Sequence, residues 1–399
     1  MALVNMWREN RDGIRDKSLR QILAFAGEGK LADNNTCSSE FRELLTVAPL
    51  ELLRKYAAEA LSEDFPDAGF ALQDITNELG SRLGFKVQRG LYRGRQGVSG
   101  HDGLWSDPDT SHSVVIEVKR SSTYTIHLET IARYRSDLIQ NSKISEDKSS
   151  ALFVVCQKDE DTNALEAHIR GSRHAWDIRL ISLEALFKLV QLKNETDNPA
   201  SARLLRLVLV PREYTKLDSL LEIVSFVAQD VSAEEEDEIE KDDKGSKTDG
   251  AYVSKLNRTD LRTKAREFFL NKLRQDTKDI SRTLLETQDG RIAICYAPSQ
   301  AYPKVNYTQY WFGLHDHQIE FMNKHSEGYA AYLCSKAGML FMPWSEFTNH
   351  VGQMLESSKE NRHWRHVILQ HGKDGKLRMR LRADAPKNPV DVTKWFVAL

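Results

Sequence analysis

Four cysteines in 399 residues are too few and too scattered for the uses that cysteine-rich chains make of them. Cys37, Cys156, Cys295 and Cys334 show no C-x-x-C spacing, which argues against a zinc site and a disulfide framework and suits a reducing cytoplasm. Cys156 and Cys334 fall in apolar runs and read as buried free thiols. No apolar run approaches the length of a membrane span, and the opening MALVNMWRENRDG has no apolar signal core. A soluble, cytoplasmic protein with no membrane partner is expected. GEGKLAD near Gly27 lacks the G-x-x-x-x-G-K-[ST] spacing, so no built-in NTP motor is expected either. His315, His317, His363 and His366 have no cysteine partners and no helical H-E-x-x-H, which argues against zinc there.

Net charge is also scarce, at −2, but the charges are segregated. Residues 233–250 hold nine acids against three lysines and cannot bury a core, so they read as an acidic disordered linker. Residues 251–399 carry 23 Lys and Arg against 15 Asp and Glu, an excess that suits a polyanionic partner. The length allows two or three domains with their own cores. The expected division is a helical N-terminal segment over 1–69, a core with trailing helices over 70–232, the linker over 233–250, and a basic α+β domain over 251–399.

The N-terminal segment places Leu44, Leu45, Leu52, Leu53 and Tyr56 near helical spacing, interrupted by Pro49. It predicts a helical layer on the core and offers a surface for a homodimer. In FALQDITNELGSRLG, Leu72, Ile75, Leu79 and Leu83 form the apolar stripe of an amphipathic helix that ends at Gly84. A strand is expected at FKVQRG, then the loop RGLYRGRQGVSG, whose Arg93 and Arg95 suit phosphate contacts.

HDGLWSDPDTSHSVVIEVKR is the most informative stretch. The β-branched run Val114-Val115-Ile116 predicts a buried strand, and strand alternation puts Glu117 and Lys119 on one face with Val118 behind. With Asp102 in the preceding Gly-containing turn, two carboxylates and an ammonium meet at the end of a buried strand. Such charges are costly to desolvate unless something compensates them, and a hard divalent cation would do so. Downstream, a helix through Leu128 and Leu138, an all-apolar strand ALFVVC, a short helix, a strand over Asp177–Ile181 and a helix capped by Ser182 complete the predicted core.

This Asp…Glu-x-Lys arrangement resembles the PD-(D/E)XK nuclease superfamily over roughly residues 70–192. His101 stands where the motif's name expects Pro. The resemblance implies an α/β restriction-endonuclease-like core in which Asp102 and Glu117 hold Mg²⁺, with Mn²⁺ as a substitute. Lys119 would assist the water that attacks a phosphodiester. It also implies an endonuclease acting on nucleic acid, DNA favoured, in restriction or anti-phage defence. Many members place an acidic or Gln residue on the preceding helix near the metal. Gln73 stands at that place and Glu78 is a second candidate, although a solvated helix face is the competing expectation for both.

The C-terminal part predicts a basic helix over Asp260–Arg274, several strands, and a final hairpin of HWRHVILQ and KLRMRLRA. In the latter, Arg378, Arg380 and Arg382 share one face and are candidates for nucleic-acid binding. Tyr307, Tyr310, Trp311 and Phe312 are expected mainly as core, with base stacking as the alternative. Two other functions fit part of the pattern. One is a catalytically silent nucleic-acid-binding or sensor protein, and the other is a nuclease gated by a ligand or partner at the C-terminal domain.

Overall fold

A computed structural model describes residues 3–93, 100–120, 128–156, 161–196, 200–210, 255–359 and 362–399. The expected linker, 233–250, lies outside them. So do Arg95 and the part after 210 of the helical run expected over 204–231. The described residues divide into two compact units, one before 211 and one after 254.

The first unit is mixed α/β with a helical N-terminal region. Helices α1 (Leu3–Glu9), α2 (Arg11–Arg15), α3 (Leu19–Phe25), α4 (Thr36–Val47) and α5 (Leu50–Ser62) precede any strand. Pro49 separates α4 from α5, because it cannot donate into the preceding turn and holds Ala48 extended. Then follow α6 (Ala68–Arg82), β1 (Lys86–Arg89), β2 (Gly103–Ser106), β3 (Ser113–Lys119), α7 (Leu128–Gln140), β4 (Ser149–Val155), α8 (Asp161–Gly171), β5 (Ile178–Ser182), α9 (Leu183–Glu195) and α10 (Ala200–Leu209).

The five strands form one sheet in the order β1-β2-β3-β4-β5. β1, β2 and β3 are antiparallel neighbours, whereas β3-β4 and β4-β5 are parallel. Every residue of β4 is buried, as a strand covered on both faces requires. On one face Val114, Ile116, Leu152 and Val154 join the core made by α6, α9 and the N-terminal helices. On the other, Val115, Ala151, Phe153 and Val155 pack with Leu128, Ile131 and Leu138 of α7 and with Leu165 and Ile169 of α8. Ser182 caps α9 by accepting from the Ala185 amide at 3.1 Å.

α6 differs from its sequence pattern. Instead of a half-solvated amphipathic helix it is buried nearly all round, with Gln73, Asp74, Thr76, Asn77 and Glu78 enclosed along with its leucines. A helix sandwiched between the sheet and the N-terminal helical region has no wet face, and its polar side chains must find partners inside.

The second unit opens with the basic helix α11 (Lys255–Leu273). Thereafter come β6 (Thr277–Asp279), β7 (Leu284–Thr287), β8 (Ile292–Ser299), β9 (Tyr302–Pro303), β10 (Tyr307–His315), α12 (Asp316–Asn323), β11 (Glu327–Cys334), β12 (Met339–Pro343), α13 (Trp344–Val351), β13 (Leu355–Lys359), β14 (Arg362–Gly372), β15 (Leu377–Arg380), β16 (Val390–Asp391) and β17 (Phe396–Val397). They build two six-stranded sheets. One runs β17-β12-β11-β8-β7-β6, and the other β16-β15-β14-β10-β9 with β13 also paired to β14. Tyr310, Phe312, Val367, Leu369, Leu377 and Met379 of the second sheet share a core with Ala330, Tyr332 and Leu340 of the first. Ala265 and Phe269 of α11 pack on the first sheet's other face with Ile294, Tyr296 and Phe341. Tyr310 and Phe312 are core residues, as expected; Trp311 between them faces the opposite way and is half-buried.

Candidate active site

Asp102 lies one residue before β2, and the register Gly103↔Ile116 sets it opposite Glu117 at the exit of β3. Its amide donates to the Ile116 carbonyl at 3.0 Å, and its Oδ2 accepts from the Val118 amide at 2.7 Å. Its carbonyl oxygen accepts from the Gly90 amide at 2.9 Å, Gln73 Nε2 at 3.1 Å and Asn77 Nδ2 at 2.9 Å. Gln73 and Asn77 are one turn apart on α6, so the buried helix holds the Asp102 main chain from one side while β3 holds it from the other. Asn77 Oδ1 accepts in turn from Trp105 Nε1 at 2.9 Å. Gly103 makes this approach possible, since a Cβ there would lie 2.2 Å from Asn77 Oδ1.

Glu117 and Lys119 point to the α7 side of the sheet, while Val118 packs on the opposite core. Lys119 Nζ donates to Glu117 Oε1 at 2.6 Å. The other carboxylate oxygen, Glu117 Oε2, is buried with no hydrogen-bond partner among the described residues. Withdrawal from water pushes the Asp102 carboxyl up to about 7; the neighbouring Glu117 charge adds to this, and the Val118 amide and Lys119 oppose it. Tyr134 of α7 looks onto the same charges: burial, then Glu117, raises its hydroxyl. Arg120, next along the chain, donates to the Glu63 carbonyl at 2.8 Å and pairs with Asp64 at 3.2 Å, tying the end of β3 to the N-terminal helical region.

Among the described residues no group of three or more His, Cys, Asp or Glu is arranged to hold a metal ion. The Asp102–Glu117 pair is a smaller donor set, and it suits a hard cation that takes one or two carboxylates and fills its remaining positions with water and phosphate oxygens. The single ammonium of Lys119 does not neutralise both acids: one Glu117 oxygen has no partner among the described residues and the Asp102 carboxyl is raised, and a divalent cation would satisfy both.

The structure brings Asp102, Glu117 and Lys119 together and overturns the solvated face expected for the two helix candidates. Gln73 is only 4% exposed and not on a solvated face, and its amide reaches the Asp102 main chain. Glu78, also 4% exposed, is likewise not solvated. Its carboxylate pairs with Arg82 at 3.1 Å and Arg89 at 3.7 Å. Beside it Asp74 is held by Arg42 Nε at 2.8 Å and by the Tyr92 hydroxyl. Asn77, which sequence reasoning passed over, is marked only by its four-residue spacing from Gln73 on a helix whose face could not be assigned from pattern alone.

Arg93 is exposed at the end of the described part of its loop. On β15, Arg378, Arg380 and the following Arg382 do face away from Leu377, Met379 and Leu381. They are not equivalent: Arg378 is held by Asp374, and Arg382 lies 3.4 Å from Asp384. No described residue pairs with Arg380. No protein family matches the sequence, and no curated protein matches it either.

Proposed function

We propose that the chain is a metal-dependent endonuclease with a PD-(D/E)XK, restriction-endonuclease-like core and a basic C-terminal unit that binds nucleic acid, DNA favoured. The observation that carries this reading is Glu117, opposite Asp102 in the strand register, with one carboxylate oxygen buried and without a partner among the described residues and Lys119 2.6 Å from the other. The sheet order supports it too, because the two acids meet where the antiparallel β2–β3 pair joins the parallel β3–β4 pair.

In this reading Asp102 and Glu117 would hold Mg²⁺, or Mn²⁺ in its place. The bound ion would supply charge neutralisation at the phosphodiester and lower the pKa of a water. Asp102 presents a carboxylate whose other oxygen is already fixed by the Val118 amide. Lys119 holds the attacking water in line and is placed to shuttle its proton. Hydrolysis then forms one bond from water oxygen to phosphorus and breaks one phosphorus–oxygen bond, with a proton passing to the leaving oxygen. Four free cysteines suit action in a reducing cytoplasm, and restriction or anti-phage defence is the setting that fits such an enzyme. No described helix is long and apolar enough to cross a membrane.

The test is cleavage of plasmid, linear duplex, single-stranded DNA and RNA with Mg²⁺, Mn²⁺ or EDTA. Metal-dependent cutting that is lost in Glu117→Gln supports the reading. A well-folded protein that cuts none of these substrates, or cuts equally in EDTA, overturns it.

A further inference from the structure

The outward face of the β14–β10 sheet carries four rings in a row, and His317 in the first turn of α12 extends it to five. His317 stacks on His315 with centroids 5.6 Å apart and planes 15° from parallel. His315 reaches Trp364 at 6.3 Å, Trp364 reaches His366 at 6.3 Å, and His366 reaches Trp311 at 5.3 Å. Strand pairing sets the row: His315 faces Trp364 and Gly313 faces His366 across β10 and β14. A Cβ at Gly313 would meet His315 Nε2 at 3.4 Å, Trp364 Cδ1 at 3.9 Å and Trp311 at 4.0 Å, so the rings lie over the bare glycine.

The four strand rings belong to alternate residues whose neighbours, Tyr310, Phe312, Leu314 and Val367, form the core. They are therefore surplus to that core, and all five are half-buried, neither enclosed nor fully free. Histidine and tryptophan on the outer face of an antiparallel sheet cost exposed apolar area that polar residues would avoid. Arginines border the row, because Ile368 pairs across β14 and β15 with Arg380, and Gln370 with Arg378. Rings flanked by guanidinium groups, on a unit with an excess of positive charge, match a polyanion that also offers flat apolar faces.

We propose that this row is a stacking platform for the bases of single-stranded nucleic acid, with Arg380 meeting its phosphates. A duplex hides its base faces in its own stack, so only unpaired bases can use such a surface, and a row of this length accommodates two or three of them. The inference rests on the reading of the C-terminal unit as the nucleic-acid-binding part, and is independent of whether the Asp102–Glu117 site cleaves.

The test uses the full chain in EDTA, with fluorescein-labelled oligothymidylate, oligouridylate and a mixed-sequence duplex of equal length. The single strands should bind more tightly than the duplex and quench tryptophan fluorescence. Comparison of the two oligomers shows whether DNA or RNA is the preferred source of unpaired bases. Trp364→Leu and Trp311→Leu should each weaken single-strand binding by roughly 5- to 150-fold, the effect of losing one base–ring stack. Trp364→Phe, which keeps a ring and guards against misfolding, should stay within a few-fold of the parent. Duplex binding that equals single-strand binding, or leucine variants with native circular dichroism and unchanged affinity, would overturn the platform. Metal-dependent cleavage measured on the same preparations reports separately on the nuclease reading.

Discussion

Asn77 joins Asp102 to Trp105: its Nδ2 donates to the Asp102 carbonyl at 2.9 Å and its Oδ1 accepts from the Trp105 indole at 2.9 Å. The acid before β2 is thereby positioned by a side chain on a helix buried behind the sheet. Asn77→Leu should leave the buried indole N–H without its acceptor and take away one of the three donors to the Asp102 carbonyl, at a cost of about 1–3 kcal/mol. Chemical denaturation measures that cost. Cleavage should lose rate at saturating substrate while KM stays within a few-fold, since substrate does not touch Asn77. A variant with native stability and rate would remove Asn77 from any positioning role.

Asp102→Ala and Glu117→Ala should abolish cleavage with the fold intact, each removing a proposed cation ligand. Lys119→Ala should slow cleavage severely but leave Mn²⁺ binding, read by calorimetry, nearly unchanged. Activity within a few-fold of the parent in Asp102→Ala would move the chemistry elsewhere.

The raised Asp102 carboxyl has a pH signature. Its folded value, about 7, lies above the ordinary carboxyl value of 3.8, so the folded state binds this proton more tightly than the unfolded chain does. In EDTA, stability contributed by this group is fully present below about pH 4 and is lost as pH rises toward 7. Asp102→Asn should remove that slope and be the more stable protein at pH 7.5. Mg²⁺ should stabilise the parent more at pH 7.5 than at pH 5, because it must displace the proton. Melting curves across this range with and without Mg²⁺ test both expectations, and parallel curves for parent and variant would refute them.

Arg206 of α10 lies inside the first unit, with Nε 2.8 Å from Asp107 Oδ1 and Nη1 donating to the Leu83 carbonyl at 3.1 Å. Asp107 is 1% exposed and its carboxyl is held below the ordinary range by its hydrogen bonds from Thr110 and Arg206, against the cost of burial. Arg206→Ala should therefore cost about 3–5 kcal/mol by leaving Asp107 charged and unpaired. Arg206→Ala with Asp107→Ala should recover much of that loss. Urea titrations of both variants decide it; equal losses in the single and double variants would mean that α10 docks by apolar contacts alone.

Within the arginine row, Arg380→Gln should reduce the salt dependence of nucleic-acid binding most, by about one unit of log–log slope. Arg378→Gln should matter less, because Asp374 already engages that guanidinium. Salt titrations in EDTA on the full chain rank the three, and an unchanged slope in Arg380→Gln would place the phosphate contact elsewhere.

The elements near the site were legible in the sequence to the extent that local pattern determines them. Val114-Val115-Ile116 marked β3, and strand parity put Glu117 and Lys119 on one side. β2 was not foreseen, because Gly103-Leu104-Trp105-Ser106 is short and becomes a strand only by pairing with β3. The surroundings of Gln73, Asn77 and Glu78 were illegible for a related reason. A polar stripe on a helix looks the same whether water or a second protein layer covers it, and here the N-terminal helices do so. On β15 the outward face of the arginines was legible, but not that Asp374 would claim Arg378.

The alternation along β3 locks the site to a reading phase. Glu117 and Lys119 follow four buried positions of a strand whose side chains change face at every step. Losing one residue among Val114, Val115 and Ile116 would turn the carboxylate and the ammonium toward α6 and bring Val118 to face Asp102. Every residue type would survive, yet the cluster would vanish. Descendants of this chain can thus exchange one β-branched side chain for another along β3, but a change of its length by an odd number would extinguish the site.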